Sequence, residues 1–182
     1  SDGVWQIEVN YDKLPSHLKQ GDTILLDNGL MRLLVIESSP EKVRCNVSQD
    51  CTLKSRRHVN LPGIETDLPS LTEKDRRDSL VGIECNHDYF ALSFTRDGDS
   101  IDLFRHFLRE NGSEAQIIAK LEDQQGVSNI DEIISASDAI MIARGDLGIE
   151  CAFEDLPVIQ RQTVGACLAK GTSVIMATDM PG

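Results

Sequence analysis

The chain has 182 residues, with 18 lysines and arginines against 30 aspartates and glutamates, and a formal charge of −12 at pH 7. So acidic a chain excludes nucleic acid and anionic membrane surfaces as main partners, because both are attracted by basic surface. A small phosphorylated ligand, which needs only a local cation, is not excluded, and the length allows one large domain or a domain and a half with a real core.

No apolar run reaches the roughly 18 residues of a membrane span. Ser1-Asp2-Gly3 begins without the basic and apolar stretches of a secretory signal. The five cysteines, at 45, 51, 85, 151 and 167, are odd in number and lack zinc spacing. They read as free thiols in a reducing cytoplasm.

Residues 1–62 read as all-β. Thr23 to Asp27 and Leu30 to Ile36 are apolar runs separated by Asn28-Gly29, the sequence of a type I′ hairpin turn. Val43 to Val47 is a further strand. The basic cluster from Lys54 to His58 reads as a solvated turn. From Val59 to Ser70, two prolines and a glycine mark a linker.

Residues 63–182 alternate helix and strand. Thr72 caps a helix running to about Asn86, with Asp75 placed for a capping box. Tyr89 to Phe94 is a strand. Asp97 to Asn111 is a helix with Ile101, Phe104 and Leu108 on one face and Gly112 as its stop. Asp97-Gly98-Asp99 fails as a calcium loop, because Asp102 stands where glycine is needed and Leu108 where glutamate is.

The stretch from Gln116 to Gly148 reads as strand, helix, strand. The first strand is apolar through Ala119 and then becomes Lys120-Leu121-Glu122-Asp123. Ile130, Ile133 and Ile134 recur at helical spacing. The second strand runs from Ala139 to Ala143 and ends at Arg144-Gly145-Asp146. Continuous apolar runs are expected of strands covered on both faces. A further helix carries Leu156, Ile159, Val164, Cys167 and Leu168, with Pro157 in its first turn and Gly171 past its end. Thr172 to Ala177 is the last strand, with Thr178 at its C-terminal end.

Four parallel strands, each preceded by a helix, make half of an eight-stranded barrel. Their C-terminal ends lie side by side, and in α/β sheets and barrels chemistry is done at that edge. Lys120, Glu122, Arg144 and Asp146 are therefore expected to converge. Two carboxylates with two cations suit a hard ion such as Mg2+ holding an anionic, phosphorylated substrate.

Ile117-Ile118-Ala119-Lys120-Leu121-Glu122, Asp131-Glu132-Ile133 and Ile140 through Glu150 closely resemble pyruvate kinase. Met141-Ile142-Ala143-Arg144-Gly145-Asp146-Leu147-Gly148-Ile149-Glu150 is the most specific part. The resemblance covers nearly all of the chain. It implies an α/β fold, a partial (β/α)8 barrel over 63–182 with part of a small β-barrel lid domain over 1–62. Val59-Asn60-Leu61-Pro62-Gly63 matches the point where the family's chain leaves the lid. It implies phosphoryl transfer from phosphoenolpyruvate to ADP, giving pyruvate and ATP, in a cytoplasmic homo-oligomer. It further implies that other barrel strands, the rest of the lid and a C-terminal domain lie outside these residues.

The residue roles carried over are as follows. Glu122 and Asp146 hold Mg2+ or Mn2+, while K+ is an additional ion whose ligands lie outside this chain. Lys120 is catalytic and binds substrate. Backbone N–H groups of Gly145 and Asp146 bind the substrate carboxylate. Thr178 stands where the family protonates the enolate carbon, through a water relay. Ser93, Arg96 and Arg144 are further pocket residues. Two departures stand out. Asn28 replaces the second aspartate of the family's Asp-Asp-Gly turn, and the chain ends Ala177-Thr178-Asp179-Met180-Pro181-Gly182 where the family reads Ala-Thr-Gln-Met-Leu-Glu-Ser. Two other readings stay open: a non-catalytic truncated module, and a Mg2+-dependent barrel lyase acting on pyruvate-like acids. The Arg144 to Gly148 run disfavours the second.

Overall fold

The structure is a computed structural model that describes residues 3–49, 52–69 and 71–177. Chain contacts divide it into two units, 1–66 and 67–182.

In the first unit, strands β1 (Thr23–Leu26), β2 (Met31–Ser39), β3 (Lys42–Val47) and β4 (Val59–Asn60) form one antiparallel sheet in the order β3-β2-β1-β4. A short helix, α1 (Leu14–His17), precedes β1. The hairpin turns where Asn28-Gly29 predicts. Asn28 and Gly29 have φ of 57° and 82°, and the Leu30 N–H donates to the Asp27 carbonyl at 3.2 Å. Positive φ at both central residues gives the twist that joins antiparallel strands. Asp27 is also left-handed, at φ 51°, and its N–H donates to the His58 carbonyl at 3.0 Å. One feature of this unit differs from the sequence reading: Val59-Asn60 is a strand paired with β1 rather than plain linker. The Lys54–His58 turn is exposed, as expected, and from it Arg57 also ion-pairs with Asp27 at 3.4 Å. Leu14, Leu18, Ile24, Leu26, Met31, Leu33 and Val35 form the core of this unit.

The second unit is built on four parallel strands: β5 (Tyr89–Leu92), β6 (Gln116–Leu121), β7 (Ala139–Ala143) and β8 (Ser173–Ala177), in that order. Between them run α3 (Gly98–Glu110), α4 (Gln124–Ser128), α5 (Ile130–Ala136), α6 (Arg144–Glu150) and α7 (Leu156–Lys170), with α2 (Glu73–Glu84) before β5. The caps form as their sequences predict. Thr72 and Asp75 make a reciprocal capping box on α2, and Asp97 accepts the Ser100 N–H at the start of α3. Gly171 takes the left-handed conformation that ends α7.

Alternation along each strand sorts the side chains. Ile117, Ala119 and Leu121 of β6, with Ile140 and Ile142 of β7, are fully buried. Ile117, Ala119, Ile140 and Ile142 pack with Ile101, Phe104, Leu108, Ile133, Ile134 and Leu147 from the helices. The opposite face is only partly covered, leaving Tyr89, Ala91 and Ile175 exposed. The apolar runs thus belong to strands whose second face is the one a closed barrel turns inward. The strand expected to reach Phe94 stops at Leu92, because Phe94 turns to φ 48°.

Asp138, at the entry to β7, joins several elements. Its Oδ2 accepts the Ile117 N–H at 2.7 Å and Arg105 Nη1 at 2.9 Å, while Arg105 Nη2 donates to the Ala136 carbonyl at 2.7 Å. Among the described cysteines, 45, 85, 151 and 167 are free thiols; Cys51 lies outside the described residues. Burial, then the nearby Glu150, Asp123 and Asp155 carboxylates, push the Cys151 thiol up to about 11.

Two outcomes are expected. Asp138→Ala leaves a half-buried N–H and a guanidinium without their acceptor, so denaturant unfolding is expected to show a loss of about 2 kcal/mol. Cys151 is expected to react slowly with iodoacetamide at pH 8 and to accelerate as pH approaches 11, because only the thiolate attacks. Peptide mass mapping of alkylation against pH measures this. Equal rates at pH 8 and pH 10 would contradict it.

Candidate active site

Leu121 is buried against Gly126 of α4, so Lys120 and Glu122 on either side of it share the opposite face at the end of β6. Lys120 Nζ lies 2.5 Å from Glu122 Oε1 and donates to Ser93 Oγ at 3.1 Å. Glu122 is only 2% exposed. Its Oε2 accepts the Phe94 backbone N–H at 2.6 Å. A carboxylate withdrawn from water requires compensation at each oxygen, and here a cation serves one and a backbone donor the other.

The loop after β5 is fastened to β6 and α4. The Thr95 N–H faces the Lys120 carbonyl at 3.4 Å, and its hydroxyl donates to the Leu92 carbonyl at 2.8 Å. Arg96 Nε donates to Asp123 Oδ2 at 2.8 Å, while Asp123 Oδ1 accepts the Gly126 N–H at 2.8 Å and so caps α4. Asn129 Nδ2 donates to the Arg96 carbonyl at 2.8 Å. Helix α4, Asp123 and Asn129 are absent from the sequence reading of the site. The signal for Asp123 is its place as a potential N-cap next to Glu122, with glycine three residues on.

At the end of β7, Arg144 opens α6 directly. Its Nε donates across to the Ala177 carbonyl of β8 at 3.1 Å. Gly145 and Asp146 lie in the first turn of α6, both half-buried. The Asp146 side chain has no hydrogen bond or ion pair among the described residues. Of the four charged residues expected to converge, Lys120 and Glu122 are in contact, with Ser93 beside them. Arg96 reaches them through its loop, and Arg144 is committed to β8. Thr178 lies outside the described residues. The Gln124 amide donates to the Glu150 carbonyl, tying α4 to the end of α6.

The donor set fits a divalent ion. Glu122 Oε1 is ion-paired with Lys120 and Oε2 accepts the Phe94 N–H, both with lone-pair capacity to spare, and Asp146 is the carboxylate in the first turn of α6 after the neighbouring strand. Among the described residues no cluster of three or more histidine, cysteine, aspartate or glutamate side chains could hold a metal. A two-carboxylate set is the usual protein contribution to Mg2+, whose other ligands are water and phosphate oxygens. A cavity of about 580 Å3 lies at the far ends of these strands, lined by Ile83, His87, Tyr89, Ser113 and Gln116. It is remote from this chemistry.

The family model described as the pyruvate kinase barrel domain matches residues 4–181. The chain is 43% identical over 178 residues to a pyruvate kinase of Bacillus licheniformis, covering 96% of this chain and 30% of that protein. It is 42% identical over 177 residues to a cytosolic pyruvate kinase isozyme of Glycine max, covering 96% and 35%. Over 174 residues it is 38% identical to plastidial pyruvate kinase 2 of Arabidopsis thaliana, covering 96% and 30%. The crystal structure of a pyruvate kinase from Cryptosporidium parvum superposes with a TM-score of 0.88 at 36% identity, over 93% of this chain and 36% of that one. The chain spans about a third of the length of these relatives. With its parallel strands and the Lys120–Glu122 edge, it belongs to the pyruvate kinase family.

Proposed function

We propose that this chain carries the cation and phosphoryl side of a pyruvate kinase active site, in a protein that transfers phosphate from phosphoenolpyruvate to ADP. The observation that carries the reading is the buried Glu122 carboxylate, held 2.5 Å from Lys120 at the C-terminal edge of a parallel sheet. The family membership supports it.

Phosphoryl transfer depends on positioning and charge neutralisation more than on covalent help. Glu122 and Asp146 would hold Mg2+ or Mn2+. When bound, that ion neutralises charge and orients substrate and phosphate oxygens. Lys120 would stabilise charge on the transferring phosphoryl group and on the enolate oxygen. Ser93 would keep the ammonium on the pocket face. Arg144, fastened to β8, would line the pocket wall, and Arg96 would stand behind it. Backbone N–H groups of Gly145 and Asp146 would receive the substrate carboxylate. Thr178, next after β8, would serve proton delivery to the enolate carbon through water. K+ would bind through residues outside this chain. ADP would approach from the side that the remaining barrel strands, outside this chain, supply.

Relatives include plastidial and cytosolic isozymes. We place this protein in the cytoplasm, on the strength of its scattered free thiols, and propose that the longer protein is a homo-oligomer without nucleic-acid or membrane partners. No helix among the described residues is long and apolar enough to cross a membrane.

Mn2+ titration followed by electron paramagnetic resonance tests the metal assignment. Glu122→Gln and Asp146→Asn are each expected to weaken Mn2+ binding at least about tenfold, with circular dichroism confirming the fold. Equal affinity in wild type and Glu122→Gln would refute it. A coupled assay for pyruvate tests self-sufficiency. The 182-residue chain is expected to show background turnover only, because loosening one side of the in-line path by about 1 Å costs on the order of a hundredfold. Robust turnover that disappears in Lys120→Met would overturn this expectation.

A further inference from the structure

We infer that the loop Ser93–Asp97, braced by Arg96, Asp123 and Gly126, is the positioning device for Glu122. This inference rests on the cation-binding reading of Glu122 given above.

Glu122 Oε2 accepts the Phe94 backbone N–H at 2.6 Å. That N–H is aimed by an unusual backbone. Phe94 has φ 48°, a conformation that strains a bulky L-residue and persists only where surrounding contacts impose it. The residues that follow Phe94 supply those contacts. Thr95 is 1% exposed and is bonded through its hydroxyl to the Leu92 carbonyl. Arg96 is locked to Asp123 at 2.8 Å, with side-chain exposures of only 18% and 11%. Asn129 holds the Arg96 carbonyl.

Gly126 completes the brace. A Cβ there would meet the Thr95 carbonyl oxygen at 2.6 Å, closer than any carbon rests against backbone. Only glycine lets α4 sit against this loop. The same glycine donates its N–H to Asp123 Oδ1, while Asp123 Oδ2 takes Arg96. Asp123 therefore reads helix α4 with one oxygen and the loop with the other. Its neighbour in sequence is Glu122 itself. The strained residue, the buried salt bridge and the close glycine converge on one outcome, a fixed donor at one oxygen of the proposed ligand. These are positioning residues: none of them needs to touch substrate.

The test separates the brace from the metal reading by observing the Phe94 amide directly. In 1H–15N NMR spectra of the metal-free chain, an N–H bonded to a carboxylate at 2.6 Å is expected well downfield. Glu122→Gln is expected to move it upfield. Asp123→Asn keeps the Oδ1 cap of α4 and sets an amide against Arg96, so it is expected to move the Phe94 amide upfield as well. Arg96→Ala is expected to do the same, with the double variant no worse than either single one and Arg96→Lys partly restoring the shift. Mn2+ affinity is expected to fall about tenfold in Asp123→Asn and Arg96→Ala. Gly126→Ala, which pushes on Thr95 from the other side, provides a second variant with the salt bridge intact and the same expected shift. An unmoved Phe94 amide in Asp123→Asn, Arg96→Ala and Gly126→Ala would overturn the brace. A moved amide together with equal Mn2+ affinity in wild type and Glu122→Gln supports the brace and refutes the cation reading instead.

Discussion

The second unit turns on one constraint: a glutamate is buried at the end of a strand and must be compensated. Glu122 sits at 2% exposure beside apolar β-strand neighbours. Its charge is matched by the Lys120 ammonium on one oxygen and the Phe94 N–H on the other. Removing either would leave buried charge exposed to a weakly polar surrounding, at several kcal/mol. A hydrophobic pair of the same volume would suit stability at least as well. The arrangement is therefore better explained by chemistry than by folding.

The sheet supplies what that chemistry needs. Parallel pairing in consecutive order sets the ends of β5 to β8 along one edge. The register places Ala119 beside Leu92 and Lys120 beside Met141, so the side chains of Ser93 and Lys120 meet where β5 has just ended. Helices bury the opposite strand face, which fixes the direction of Lys120 and Glu122 through the two-residue alternation around Leu121. Asp146 enters from β7 one turn into α6, half-buried and with no side-chain partner among the described residues.

Features set by near neighbours in sequence were readable from the sequence. The Thr72–Asp75 box, the Asp97 cap, the Asn28-Gly29 turn and the apolar strands each depend on residues a few positions apart. Family resemblance singles out Lys120, Ser93 and Glu122, which the structure brings into contact, and alternation alone places Lys120 and Glu122 on one face. What escaped is set by contacts distant in sequence. The Phe94 N–H meets Glu122, 28 residues away. The Arg96–Asp123 pair joins loops 27 residues apart. Helix α4 has five residues, too few for a hydrophobic period, and rests on a cap and on a glycine whose need appears only when Thr95 lies against it. Arg144 read as a strand-end charge; a single peptide turn makes it the first residue of α6 and sends its side chain to Ala177.

The proposed role of Glu122 and Asp146 is to bind phosphoenolpyruvate through a divalent ion. Calorimetric titration of phosphoenolpyruvate into the chain, with and without Mg2+, tests it most directly. The account predicts binding that requires Mg2+ and is lost in Glu122→Gln. Phosphoenolpyruvate binding of equal strength without Mg2+, and unchanged in Glu122→Gln, would contradict it.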